Sequence, residues 1–309
     1  MSLPAAVPRR LYPFEGRTFD RGGGIRMHYL DEGGDVGAAE PVVMVHGNPT
    51  WSFHFRELVL RLRDRHRCVV PDHVGMGLSD KPSDAAYTYT LRSRVDDLER
   101  LLEHAGVTRD VTLIAHDWGG MIAMAWAARH PERVARIVVM NTAAFHLPKD
   151  KSFPPALALT RTPLGALLVR GGNAFARTAT RVCTTRRTLP REVRRAYVAP
   201  YDSWQNRIAT LRFVEDIPLR PTDPAYRVVS ETADRLSTLA HVPMLLCWGL
   251  RDFVFSREFL AEWRRRFPRA EVLALEDAGH YVLEDAPDEV GGAIERFLAA
   301  HPLRAAVHA

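Results

Sequence analysis

The chain has 309 residues, of which 46% are hydrophobic and 26% charged. That balance is too apolar for a disordered chain, and charge interrupts every stretch before it reaches the roughly 20 apolar residues of a membrane span. A formal net charge of +5 admits nucleic acid, a membrane surface or an acidic partner without choosing among them. The N-terminal run MSLPAAVPRRLYPFEGRTFD has no apolar signal-type core. Cys68, Cys183 and Cys247 are an odd number at scattered spacing, which suits neither a disulfide framework nor a metal site. A reducing cytoplasm is the expected compartment.

In chain order, Ile25 to Leu30 reads as a strand, followed after a turn by the short apolar run Val42 to Val45. Brevity and β-branching there suit a strand buried on both faces. Residues 52–64 have helical spacing, and Cys68 to Val70 form a strand stopped by Pro71. Leu91, Val95, Leu98, Leu101 and Leu102 predict a helix over 91–105, closed by Gly106. A strand over Val111–Ala115, a helix over Gly119–Arg129 and a strand over Ile137–Met140 follow. Strands alternating with helices predict an α/β fold with a mostly parallel sheet covered on both faces.

The alternation stops over residues 146–236, which hold 9 of the 21 prolines and read as an irregular helical insertion. It resumes with a strand over 243–248, a helix over 256–267, a strand over 272–275 and a last helix over 287–299; the final nine residues read as frayed. The expected organisation is a core of 1–145 with 237–309 and a helical cap of 146–236. The cap carries 16 Lys plus Arg against 8 Asp plus Glu, a net +8, so the rest of the chain is −3.

The residues that carry chemistry stand at the ends of these strands. Ala115-His-Asp117-Trp-Gly119 has the small-x-nucleophile-x-Gly spacing of a nucleophile elbow, with Asp117 where serine usually sits. His46-Gly47-Asn48 follows an earlier strand, where such folds supply half of an oxyanion hole. Asn48 offers an amide there and Trp118 an indole N–H, two donors suited to a halide, a carboxylate or a developing oxyanion. Asp252 follows a late strand and His280 the final one, giving the order nucleophile, acid, histidine of an α/β-hydrolase. An aspartate is already ionised near neutral pH, so Asp117 can displace a leaving group and form an ester. His280, held by Asp252, would then deprotonate a water that attacks that ester. His46, His73 and His116 read as structural. No metal-ligand spacing and no nucleotide-binding glycine motif occurs, so no cofactor and no metal is expected.

The segments His46-Gly-Asn-Pro-Thr-Trp-Ser52, Pro71 to Pro82 and His116-Asp-Trp-Gly-Gly120 resemble the haloalkane dehalogenase family of α/β-hydrolases. The resemblance implies that Asn48 and Trp118 hold the leaving group and that Asp252 is the triad acid. One branch of that family places its acid at the position of Asn141, where this chain is uncharged. Ala196 to Ala209, Phe213 to Pro218 and Arg251 to Phe255 are similar to the β-lactone decarboxylases of olefin biosynthesis, in the third dehalogenase subfamily. That similarity implies a long-chain cis-β-lactone as substrate and an alkene and CO2 as products. It also implies assembly, as an oligomer, with a β-lactone synthetase and a reductase. Three other readings stay open: a haloalkane dehalogenase, an epoxide hydrolase using Tyr197, Tyr201 or Tyr226 as acid, and a non-catalytic binding fold. Scattered arginines without stacked aromatics argue against nucleic acid; a peripheral membrane contact or acidic partners fit the basic cap better.

Overall fold

The structure is a computed structural model that describes residues 2–33 and 40–303. Part of the segment expected to fray, 304–309, lies outside the described residues. The chain opens with β1 (Arg17–Gly22) and β2 (Ile25–Glu32), joined by a glycine turn in which Gly22, Gly23 and Gly24 all have positive φ. Strand β3 (Pro41–Val45) follows, then a 3-10 turn over Ser52–Phe55 that runs into helix α1 (Arg56–Leu62). The single helix expected over 52–64 is therefore two pieces. Next come β4 (Arg67–Pro71), α2 (Leu91–His104), β5 (Val111–His116), α3 (Trp118–Arg129) and β6 (Val134–Met140).

Six helices then form the insertion: α4 (Pro155–Thr160), α5 (Pro163–Gly172), α6 (Ala174–Val182), α7 (Arg191–Val198), α8 (Ile208–Glu215) and α9 (Tyr226–Arg235). The core resumes with β7 (Met244–Gly249), α10 (Arg257–Arg266), β8 (Glu271–Leu275), α11 (Val282–Asp285) and α12 (Pro287–Ala300).

The eight strands form one sheet in the order β1-β2-β4-β3-β5-β6-β7-β8. The six strands from β4 to β8 run parallel, whereas β1 and β2 pair antiparallel at one edge. Strand β1 escaped the sequence reading because RTFDRG has little hydrophobic alternation: only Phe19 points into the core. All six residues of β5 and β7 are buried, as expected for strands covered by helices on both faces. Helix α3 is almost wholly apolar and buried, which is why it can lie against the sheet directly behind Asp117. Helix α2 buries one stripe and starts at Thr90, whose hydroxyl accepts the Ser93 N–H.

Candidate active site

Asp117 is the hinge between β5 and α3, with φ 54 and ψ −130. A non-glycine residue in this region is strained, and the turn persists because its surroundings leave no alternative. A Cβ on Gly119 would lie 1.9 Å from the Val45 carbonyl oxygen, so the helix can approach β3 this closely only with glycine there. The Asp117 N–H donates to the Asn141 carbonyl (3.2 Å), and the Thr142 hydroxyl donates to the Asp117 carbonyl. The elbow thereby lifts the carboxylate to the carboxyl edge of the sheet, where it is 7% exposed.

One carboxylate oxygen, Oδ1, accepts the backbone N–H of Asn48 at 2.7 Å. The backbone N–H of Trp118 also favours the ionised form. The other oxygen, Oδ2, faces His280 Nε2 at 3.7 Å. The two oxygens are thus differentiated: one is held by the oxyanion donors and the other is left facing the histidine and the cavity. His280 Nδ1 donates to Asp252 Oδ2 at 2.7 Å. Asp252 in turn accepts the Val254 N–H through Oδ1 (2.7 Å) and the Asn141 side-chain amide through Oδ2 (3.0 Å). Asn141 is fixed by a two-way bond with the Gly249 backbone, at 2.8 and 3.0 Å. The position that carries the acid in one dehalogenase branch here holds a neutral donor that orients the acid at 252.

Burial pushes the Asp117 carboxyl above its ordinary range, although His280 and the two backbone donors pull the other way. For His280 burial disfavours the charged form, but Asp252 and Asp117 outweigh it and hold the imidazole above its ordinary value. The site therefore shifts His280 toward its protonated form.

The sequence pointed to the Asn48 side-chain amide as a donor into the site. In the structure that amide donates to the Thr210 carbonyl at 3.0 Å, and it is the backbone N–H of Asn48 that reaches Asp117. Asn48 and Trp118 both line the cavity above the carboxylate, and among the described residues the Trp118 indole N–H meets no protein acceptor. It is the free donor at the site. The cavity has a volume of about 550 Å3 and is walled mainly by Met121, Phe145, Val169, Phe175, Val214 and Phe255, nearly all hydrocarbon. Asp117 and His280 are its floor. Tyr197, Tyr201 and Tyr226 do not line it: Tyr197 and Tyr201 point their hydroxyls at Glu284 and the Thr50 carbonyl, and Tyr226 packs on His146. An epoxide-protonating tyrosine is thus missing from the places where the sequence offered one.

Two buried charged pairs support the site, and neither was singled out in the sequence. Arg94 pairs with Asp216 (3.1 Å) and lies 3.6 Å from the centre of the Phe213 ring, which packs edge-on against Trp118. Burial pushes the Asp216 carboxyl up to about 6. The available signal was an arginine on the apolar stripe of α2, between Leu91 and Leu98, where it must find a buried partner. The second pair, Arg56 with Glu284, is bidentate, at 2.5 and 3.1 Å. From Glu284 a chain of contacts runs through the Tyr197 hydroxyl (2.6 Å) to His54 (2.9 Å), whose ring stacks near His116. His116 donates to the His280 carbonyl at 2.8 Å. Burial drives the His54 pKa down to about 3 and that of His116 also well below the ordinary value, so both rings are neutral scaffolding. His46 and His73 are likewise buried and bonded to each other's backbone.

The geometry agrees with what the chain resembles. Residues 40–287 match the family model described as alpha/beta hydrolase fold. A cis-3-alkyl-4-alkyloxetan-2-one decarboxylase of Shewanella oneidensis is 54% identical over 289 residues, covering 93% of this chain and 89% of that one. A haloalkane dehalogenase of Mycobacterium bovis is 34% identical over 96% of this chain and all of its own. Among solved structures, a haloalkane dehalogenase from Bradyrhizobium elkanii superposes with a TM-score of 0.81 at 27% identity, over 93% of this chain and 99% of that one. An aspartate elbow, a histidine held by a late-strand acid, and these likenesses along nearly the whole chain lead to one conclusion: the protein is an enzyme of the α/β-hydrolase family, a relative of the oxetanone decarboxylases and, more distantly, of the haloalkane dehalogenases.

Proposed function

We propose that the protein is a β-lactone decarboxylase that converts a cis-3,4-dialkyl oxetan-2-one to a cis-alkene and CO2, with Asp117 as nucleophile. The observation that carries this reading is the Asp117 carboxyl group at the floor of an almost purely hydrocarbon cavity, in a chain 54% identical to an enzyme named for that reaction. The alternative, hydrolysis of a haloalkane, uses the same floor but is carried by the more distant likeness.

The chemistry favours attack at the ring carbon that bears oxygen. Asp117 Oδ2 bonds to that carbon and its ring C–O bond breaks, which relieves ring strain and releases the ring oxygen as a carboxylate. That carboxylate then leaves as CO2, its C–C electrons form the double bond, and the ester bond to Asp117 breaks. Inversion at the attacked carbon followed by anti elimination keeps the cis geometry. No water and no redox partner is consumed. Attack at the carbonyl would instead leave an alkoxide on the ring carbon, with the C–O bond still to be broken. In this reading the Trp118 indole N–H receives the released carboxylate, and His280, shifted toward its protonated form, offsets its charge. Hydrolysis of the ester, with His280 as base, is the competing fate and the one a haloalkane product would require. Three buried, unpaired cysteines support a reducing compartment, the cytoplasm; among the described residues no helix is long and apolar enough to cross a membrane.

The test is turnover of a synthetic cis-dialkyl β-lactone in H2-18O. Alkene and CO2 in equal amounts, with no label in the Asp117 peptide, are expected. A β-hydroxy acid as main product, with label in Asp117, would replace elimination with hydrolysis. Halide release from bromoalkanes with no reaction of the lactone would make the protein a dehalogenase.

A further inference from the structure

Between Asp150 and Glu192 the sequence has no acidic residue. Those 41 residues carry eight Lys and Arg and contain α4, α5 and α6, the helices that wall the cavity. Arg161 is paired with Asp223, and Arg186 with Asp277 and Glu289. Arg177 and Arg181 on α6 are exposed and, like Arg170, have no acidic partner among the described residues. Arg170 lies instead 4.6 Å over the ring of Trp204, itself 42% exposed.

The same surface is unusually greasy. Leu159, Leu168 and Val182 both line the cavity and reach solvent, as do Leu147, Leu219 and Phe253 from neighbouring segments, so these six form its mouth. Beside them on α5, Leu164 and Leu167 are 60% and 56% exposed and do not line the cavity. Leucines and a tryptophan set among arginines that form no ion pair, on a stretch that carries no acid of its own, are the composition of a surface that lies in the headgroup layer of an anionic bilayer. A folded protein partner would require matched acceptors and acids at fixed places, whereas diffuse negative charge over a hydrocarbon layer matches both halves of this surface.

The cavity points the same way, given the substrate class proposed above, on which this step rests. Its wall is nearly all hydrocarbon and its six rim residues are apolar and reach solvent, so the alkyl arms of a dialkyl oxetanone meet a continuous apolar path from the floor to the surface, where water would oppose them and acyl chains would not.

We propose that the α4–α6 face docks on an anionic lipid surface and that substrate enters, and alkene leaves, directly between the mouth and the lipid. The test is flotation of the full chain with extruded vesicles, which needs no turnover and so can fail independently of the decarboxylase assignment. Vesicles of equimolar phosphatidylcholine and phosphatidylglycerol should carry the protein at low salt, at least tenfold more tightly than pure phosphatidylcholine, and lose it as salt rises. Leu164→Glu/Leu167→Glu should weaken binding to anionic vesicles at least tenfold while leaving turnover of a short-arm β-lactone in solution unchanged. Arg177→Gln/Arg181→Gln should flatten the salt dependence. Failure of the native chain to float with anionic vesicles, or equal binding by the leucine variant, would overturn the proposal. So would a dimer present without vesicles and dissolved by the leucine variant, which would make this face a contact between copies.

Discussion

Replacing Glu284 with glutamine removes the buried counter-charge of the buried Arg56 guanidinium. Arg56 and Glu284 are each about 5% exposed at the side chain, and their two hydrogen bonds tie α1 to α11 across more than 200 residues of sequence. The positive charge stays buried in the variant, since Arg56 is held strongly protonated; its other neighbours are the Phe53 carbonyl and ring and, at 3.5 Å, the carboxylate of Glu57, which is solvent-exposed and so a weak substitute. Stranding a buried charge in this way costs about 3–5 kcal/mol. With an unfolding entropy of about 2.1 cal/mol/K per residue, a loss near the middle of that range lowers Tm by roughly 6 °C in a chain of this length. The pH dependence has a definite sign. Burial alone would raise the Glu284 carboxyl, but Arg56 and the Tyr197 hydroxyl hold it below its ordinary value. A depressed acid stabilises the fold fully above the unfolded pKa of about 4.3 and progressively less as pH falls through the folded value. The assay is urea unfolding of the native chain, Glu284→Gln and the double variant Arg56→Met/Glu284→Leu between pH 4 and 8. Glu284→Gln should lose its full increment from pH 6 to 8 and approach the native chain as pH falls; the double variant, with no charge left to strand, should recover most of the loss. A loss under about 1 kcal/mol at pH 7, or a double variant worse than the single, would refute the reasoning.

Three further outcomes follow from the site. Trp118→Phe keeps the ring against Phe213 but removes the free indole donor, and should lower kcat about 100- to 1,000-fold with little change in Tm; an unchanged kcat would mean the N–H is idle. Gly47→Ala puts a Cβ 2.0 Å from Asp117 Oδ1, so it should displace the nucleophile and cost at least about 100-fold in kcat while the protein stays folded, which circular dichroism and steady-state kinetics check together. The pH profile of kcat/KM, which reports the free enzyme, should rise on the acid side through a value above the ordinary aspartate range, because burial raises Asp117, and fall on the alkaline side above the ordinary histidine value, because Asp252 and Asp117 raise His280. Asp252→Asn should move the alkaline limb to lower pH; an unmoved limb would assign it to another group.

Much of this was legible in the chain because the chemistry sits at strand ends, where short apolar runs are easy to read. Asp117, Asp252 and His280 each follow such a run, and the structure brings all three within one hydrogen-bonded or near-contact row. The differences arise where the sequence signal is not local. Strand β1 has one core residue and joins the sheet only by pairing with β2, so no periodicity marks it. The amide of Asn48 was read as pointing into the site, but the Thr210 carbonyl, 162 residues away, claims it, and the backbone N–H takes over the role. Glu284 and Arg56 are separated by 228 residues, and nothing in either segment announces the other. The cap shows the converse: its charge excess is visible at once, but the greasy mouth, half of it in the acid-free stretch, emerges only from which apolar side chains the fold leaves uncovered.

In the proposed reaction the Asp117 carboxylate opens the β-lactone ring. That step is tested most directly by the rate of alkene formation from a cis-dialkyl β-lactone by Asp117→Asn beside the native chain. The substitution keeps the size and the strained turn but removes the ionised oxygen that faces the cavity. Alkene is expected from the native protein and none above background from the variant. Alkene at the native rate from Asp117→Asn would contradict it.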